Sequence, residues 1–91
     1  MMQKIAAIRD ILAQHGRLSV DAQALDEAGD LYVAGLTSLA TVGVMLAIED
    51  HFNVEFAESM LSRKTFASIE SIAEAVDELV SQSPHSVAVG S

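Results

Sequence analysis

The sequence predicts an all-α fold: a four-helix bundle with three main helices, a short third helix and a long first loop. Three observations point to it. Of the 91 residues 51% are hydrophobic but only 4% aromatic, so the core is filled from Leu, Ile, Val, Ala and Met, which suit helices better than sheets. The single proline is Pro84, so nothing interrupts helices over the first eighty positions. Apolar residues also recur at helical spacing in three separate segments. A chain of this size forms one domain with a modest core, hiding roughly 60–65% of the surface its unfolded form exposes. Residues 1–81 are read as that domain and residues 82–91 as a loose tail, because "QSPHSVAVGS" mixes small and polar residues without a period.

The first helix is expected over residues 3–15, "QKIAAIRDILAQH", where Ile5, Ile8, Ile11 and Leu12 form the stripe and Gly16 is a natural stop. Residues 17–37 follow without a clear period. Leu18, Leu25, Leu31 and Leu36 are the residues that would pin this connection to the core. Loops this long in a small domain are usually functional or carefully anchored. The second helix is expected over 38–52 and a short one over 57–63, with Phe56, Met60 and Leu61 inward. The last spans 68–80 on a stripe of Ile69, Ile72, Val76 and Leu79, with Ser68 as N-cap and Glu70 in the first turn, where the helix dipole favours an anion.

The second helix is apolar on too many sides. Residues 35–46, "GLTSLATVGVML", hold no charge in a chain of formal net charge −8. At about 100° per residue, Leu39, Val42 and Leu46 share one face, while Val44, Met45, Ile48 and Phe52 spread over much of the rest. One helix of a small bundle needs a single apolar stripe. Either this is a central helix touched on several sides, or Leu39, Val42 and Leu46 meet another protein. Gly43 favours the second reading, because a glycine inside a helix costs about 1 kcal/mol relative to alanine and close approach of another surface is one compensation.

Thr37 and Ser38 stand where this helix begins. Either hydroxyl can cap the free amides of a first turn. Neither has Glu or Gln three positions on, so no capping box explains both. If Thr37 caps, Ser38 is the first helical residue, and its free hydroxyl lies where a phosphate is favoured. On periodicity alone, Ser38 reads as the cap.

Thirteen Asp and Glu against five Lys and Arg repel phosphate backbones and anionic membranes, which excludes nucleic acid and lipid surfaces as partners and favours basic protein surfaces. With no cysteine there is no disulfide, thiolate nucleophile or sulfur metal site. Lys4, Arg9 and Asp10 interrupt any signal-peptide pattern, and no apolar run approaches the roughly 20 residues of a membrane span, so a cytoplasmic monomer is expected. His15, His51 and His85 are scattered and form no nucleophile–base pair or metal cluster. Asp26 and Asp30 suggest calcium only superficially: Ala28 and Leu31 stand where an EF-hand needs an oxygen ligand and a glycine. An enzyme in its own right is not expected.

"AGLTSLATVGVMLAIEDHFNVEF" resembles the acyl carrier protein superfamily, which includes peptidyl carrier domains. The family motif, Gly-x-Asp-Ser-Leu at the start of a second helix that ends in Glu-x-x-Phe, stands here as Gly35-Leu36-Thr37-Ser38-Leu39 with Glu49 and Phe52. The likeness covers roughly residues 3–80, long first loop and short third helix included. It implies that Ser38 carries 4′-phosphopantetheine, obtained from coenzyme A, through a phosphodiester, and that the terminal thiol of this arm holds cargo as a thioester. It also implies a phosphopantetheinyl transferase, a loading ligase and a downstream accepting enzyme as partners, docking on the second helix at Thr37, Leu39, Val42, Gly43 and Leu46.

The departures narrow the reading. Thr37 replaces the usual Asp, and Ala40 and Gly43 stand where fatty-acid carriers commonly have carboxylates. The region "DLYVAGLTSLATVGVMLAIEDHFNVEF", continued by "MLSRKTFASIESI", is similar to a smaller branch of amino-acid-accepting carriers. There a ligase resembling a truncated seryl-tRNA synthetase activates a small amino acid and loads it onto the arm. A fatty-acid or polyketide acyl carrier is the alternative within the family. A helical adaptor with Ser38 as a plain N-cap is the alternative outside it. Arg63 and Lys64, a basic pair in an acidic chain, would sit near the second helix in this fold and read as solvated surface.

Overall fold

A computed structural model describes residues 2–89, with side-chain surroundings for residues 4–81. Three helices make the frame: α1, Met2–His15; α2, Ser38–Phe52; and α3, Ile69–Val89. Among the described residues there is no strand. α1 packs against both α2 and α3. The core is built from the expected stripes of α1 (Ile8, Ile11 and Leu12) and α3 (Ile69, Ile72, Val76 and Leu79), and from Ala40, Val44 and Ile48 of α2, a line that the sequence had not singled out. Lys4 of α1 pairs with Asp77 of α3, and that contact holds the Asp77 carboxyl below its ordinary pKa.

α1 stops at Gly16, whose amide donates to the Leu12 carbonyl at 2.8 Å. Gly16 is needed for space, since a Cβ there would lie 2.7 Å from the Leu12 oxygen, whereas the left-handed residue at this stop is Arg17, φ 52°. The connection to α2 is anchored closely. Leu31 and Leu36 are buried, and Leu18 and Leu25 pack against the core. Arg9 of α1 reaches across and donates from Nη1 to the carbonyls of Ala22 (2.8 Å) and Leu25 (2.7 Å), around a single 3₁₀ turn at Ala22–Ala24. The Ser19 amide and hydroxyl both donate to the Ala34 carbonyl, at 2.9 and 2.8 Å. Next to this crossing Gly35 takes φ 115°, and a Cβ there would lie 3.0 Å from the Ser19 nitrogen. The motif's first glycine is therefore imposed by backbone geometry.

α2 ends at Asn53, which is left-handed (φ 55°, ψ 50°), a conformation asparagine tolerates. Glu49 then turns the chain: its carboxylate accepts from the Phe56 amide at 2.9 Å, placing the Phe56 ring 5.3 Å from that of Phe66 in the core. The expected short third helix over 57–63 contracts to one 3₁₀ turn, Glu58–Met60. Ala57 at its N-cap offers no side-chain hydrogen bond, and Leu61, expected to point inward, is half exposed. A turn without a cap and with little to bury does not propagate.

α3 begins as expected: the Ser68 hydroxyl accepts from the Ser71 amide at 3.0 Å, and the Ser71 hydroxyl accepts in return from the Ser68 amide at 3.0 Å. The helix runs on to Val89, past the end of the apolar stripe and through Pro84, whose missing amide removes one bond of the ladder. The side chains of residues 82–91, where the tail was expected, lie outside the described residues.

Candidate functional site

The site is assembled at the N-terminus of α2. Thr37 is the cap, extended at φ −102° and ψ 166°, and its Oγ1 accepts from the Ala40 amide at 3.1 Å. Its carbonyl accepts twice more, from the Thr41 amide at 2.9 Å and the Thr41 hydroxyl at 2.7 Å. The expectation from periodicity that Ser38 caps is therefore corrected: Ser38 is the first helical residue, exposed, its hydroxyl not committed to the helix end. Among the described residues the amides of Ser38 and Leu39 stay uncapped at the positive end of the helix dipole, a setting that stabilises an anion.

On one flank Ser38 lines a groove of about 480 Å³ with Val42, Met45, Leu61, Arg63 and Phe66 among its walls. Tyr32 lines it too and is fixed at two points. Its hydroxyl donates to the Arg63 carbonyl at 2.8 Å, and the Arg63 guanidinium lies 3.8 Å above its ring. Burial raises the Tyr32 phenol above its ordinary pKa, while Arg63 pulls it down and Asp30 pushes it up.

The outward side of the helix, from Val42 at the edge of that groove round to Leu39, is open. Buried α2 residues fall on one line, Ala40, Val44 and Ile48. Opposite them Leu39 is 84% exposed, Val42 50% and Leu46 54%. The surplus apolar surface of this helix therefore faces outward, away from the core. Thr37, Leu39 and Gly43 line a cleft with Gln14, His15 and Arg17 of α1 and the loop. Gly43 and Leu46 line a second cleft against Ala6, Ala7 and Asp10 of α1. Ala40 does not belong to this face. It is buried, so its lack of a carboxylate is a packing requirement.

A Cβ on Gly43 would meet nothing within 4 Å. The glycine weakens α2 without any packing reason inside the chain. Gly43→Ala is expected to stabilise the protein by roughly 0.5–1 kcal/mol, read from the midpoint of urea unfolding. An unchanged or lowered midpoint would mean that the position is constrained within the fold after all.

Residues 6–76 match the family model described as phosphopantetheine attachment site, which takes in this helix N-terminus and both its flanks. The chain belongs to that family. Members of the phosphopantetheine attachment-site family carry 4′-phosphopantetheine covalently, and they are carriers, not enzymes. The chain is 46% identical over 71 residues to the aminoacyl carrier protein of Agrobacterium fabrum, covering 78% of this chain and 86% of the relative. Its fold matches a chain in the crystal structure of an engineered Bradyrhizobium japonicum glycine:[carrier protein] ligase complexed with carrier protein from Agrobacterium tumefaciens and ATP. There the TM-score is 0.80 and the identity 44%, over 82% of this chain and 97% of that one. A solution structure from Agrobacterium tumefaciens matches at TM-score 0.72 and 41% identity, over 89% of this chain and 98% of that one.

An attachment-site family chain needs a hydroxyl that a modifying enzyme can reach and a setting that tolerates a phosphodiester. Exposed Ser38, beside uncapped amides and in a groove shared with a guanidinium, meets both needs. Arg63 was read from sequence as solvated surface; its stacking on Tyr32 is a contact between positions 31 residues apart, which no periodicity reveals. Met45, Leu61 and Phe66 as groove walls were likewise missed. Among the described residues no helix is long and apolar enough to cross a membrane, and no cluster of acidic or histidine side chains could hold a metal.

Proposed function

We propose that Ser38 is the residue carrying the 4′-phosphopantetheine arm, and that the chain holds an aminoacyl group for delivery to partner enzymes in the cytoplasm. The observation that carries this is the division of labour at the head of α2: Thr37 caps, leaving the Ser38 hydroxyl outward and available to a phosphopantetheinyl transferase. When bound, the arm supplies the thiol for a thioester, which a chain without cysteine lacks. The protein's own part is to hold the phosphodiester at a favourable helix end and to present α2.

Support for an aminoacyl cargo comes from the named relative and from the ligase complex in which a similar carrier sits. It also comes from the apolar outer face of α2. Thr37, Leu39, Val42, Gly43 and Leu46 offer a loading ligase contact area in place of carboxylates. The plain-cap reading of Ser38, and with it the adaptor, loses its basis in the Thr37 geometry.

The test takes protein modified with coenzyme A and a broad-specificity transferase and offers it to an amino acid:[carrier protein] ligase and to a fatty-acid malonyl transferase. Thioester formation is expected with the ligase alone; ready malonyl loading would overturn the aminoacyl assignment in favour of a fatty-acid or polyketide carrier. Gly43→Glu places a charge in the open clefts and is expected to slow ligase loading about tenfold, equivalent to ~1.4 kcal/mol, with the fold intact by circular dichroism. Unchanged loading kinetics would remove Gly43 from the docking face.

A further inference from the structure

The five basic residues of this acidic chain are not spread evenly. Lys4 pairs with Asp77, and Arg9 is committed to loop carbonyls. The remaining three, Arg17, Arg63 and Lys64, are exposed and, among the described residues, have no carboxylate partner. Arg17 stands just past the stop of α1, and Arg63 and Lys64 lie between α2 and α3. Arg17 lines the cleft that holds Thr37 and Leu39, while Arg63 lines the groove that holds Ser38. No carboxylate stands in the walls of either. Asp30, in the adjoining loop, is turned to its own backbone, where it accepts from the amides of Tyr32 and Val33 at 2.8 and 3.4 Å. The uncapped amides of α2 add the positive end of its dipole.

The other end of α2 has the opposite sign. Residues 35–46 hold no charge, and the next charged residues are Glu49 and Asp50. Asp50 and Asp10 of α1 line one cleft there. Asp10 accepts from Gln23 Nε2 at 2.8 Å, a neutral donor that leaves its charge in place. At the helical rise, Asp50 lies about 18 Å along α2 from Ser38. That exceeds the screening length of about 8 Å at physiological salt, so a partner meets the two ends as separate fields.

We infer that α2 presents a docking face of two signs, fitted to an enzyme whose arm channel is rimmed by carboxylates and whose surface turns basic about 18 Å away. The partner is the loading ligase, so the inference rests on the aminoacyl reading above. The net charge of −8 predicts the reverse beside Ser38, because it favours a partner that is basic throughout. Such a partner meets Arg17, Arg63 and Lys64 where it must reach the serine. A phosphodiester on Ser38 brings one negative charge, which these three cations outweigh. Arg63 is already held, its guanidinium 3.8 Å above the Tyr32 ring, so it loses little side-chain entropy on pairing. The two signs also fix direction. An enzyme seated the wrong way round along α2 would set like charges together at both ends.

The experiment measures loading by an amino acid:[carrier protein] ligase from about 0.05 to 0.3 M salt. Each protein carries the arm and is verified by intact mass and circular dichroism. One variant neutralises the cations (Arg17→Gln, Arg63→Gln, Lys64→Gln), and a second the carboxylates (Asp10→Asn, Asp50→Asn). In both, KM is expected to rise about tenfold at low salt with kcat unchanged, and to depend less on salt than in wild type. A third variant, Arg17→Lys with Arg63→Lys, keeps the charge without the guanidinium and is expected to load like wild type. A KM unchanged or lowered by neutralising the cations would overturn the inference, a lowered one being the response of a uniformly basic partner. An unaffected carboxylate variant would overturn it too, as would a lysine variant as poor as the glutamine one. Wild-type protein that carries the arm but is not loaded would remove the aminoacyl reading, and the two-sign face with it.

Discussion

Ser38→Ala is expected to abolish the phosphopantetheinyl mass increment completely while leaving stability within about 0.5 kcal/mol of wild type. Thr37→Ala is expected to do the reverse, keeping the increment and losing about 1 kcal/mol. The two hydroxyls are adjacent in sequence but differ in what they hold. Thr37 Oγ1 accepts from the Ala40 amide at 3.1 Å, and its removal leaves an amide of the first turn without a protein partner. Ser38 is exposed in the first helical position, where alanine is a better helix former and no cap is broken. Intact mass after incubation with coenzyme A and transferase reads the first property, and urea unfolding reads the second. The assignment fails if Ser38→Ala carries the stability loss, or if it still gains the increment.

The helical stripes were legible because burial on a helix repeats at a fixed spacing. Ile8, Ile11 and Leu12, and likewise Ile69, Ile72, Val76 and Leu79, are buried where the period places them. The four leucines of the long loop were also readable, since an apolar residue in a polar stretch has few uses other than an anchor. What could not be read depends on partners distant in sequence. Nothing in its spacing marks Arg9, yet it holds carbonyls 13 and 16 positions away. Such a bond is made to the backbone, which every residue has, so no residue type on the far side betrays it. Tyr32 and Arg63 are joined in the same way, partly through a carbonyl. Periodicity chose the wrong cap for a related reason: Thr37 and Ser38 both offer a hydroxyl there, and the backbone direction of the entering loop decides between them. That direction follows from the positive φ of Gly35 and the crossing of Ser19 with Ala34. The third helix fell short because Phe56 is held by a bond from its amide to Glu49 and needs no helix of its own.

The same loop supplies the largest expected loss of stability. Leu31→Ala should destabilise the protein by about 2–5 kcal/mol, a large fraction of the 5–15 kcal/mol typical of a whole domain. Leu31 lies in the connection between α1 and α2, where substitutions are usually tolerated, yet its side chain is fully buried. Its backbone is committed as well. The amide donates to the Ala67 carbonyl at 2.7 Å, just before α3, and its carbonyl accepts from the Leu36 amide at 2.9 Å, just before the cap of α2. With both ends of the residue fixed, the surroundings cannot collapse into the space left by truncation, which places the cost towards the upper part of the range. Val20, half exposed in the same loop, is the control, and Val20→Ala should stay within about 0.5 kcal/mol. Urea unfolding with linear extrapolation measures both, and equal effects of the two substitutions would mean that the loop is not part of the core. Leu31 also precedes Tyr32, the support of Arg63, so truncation should displace the Tyr32 ring resonances even at temperatures where the protein remains folded. The long loop thereby links the core to the groove beside Ser38: the burial that stabilises the domain also positions Tyr32 and, through it, the Arg63 that lines this groove.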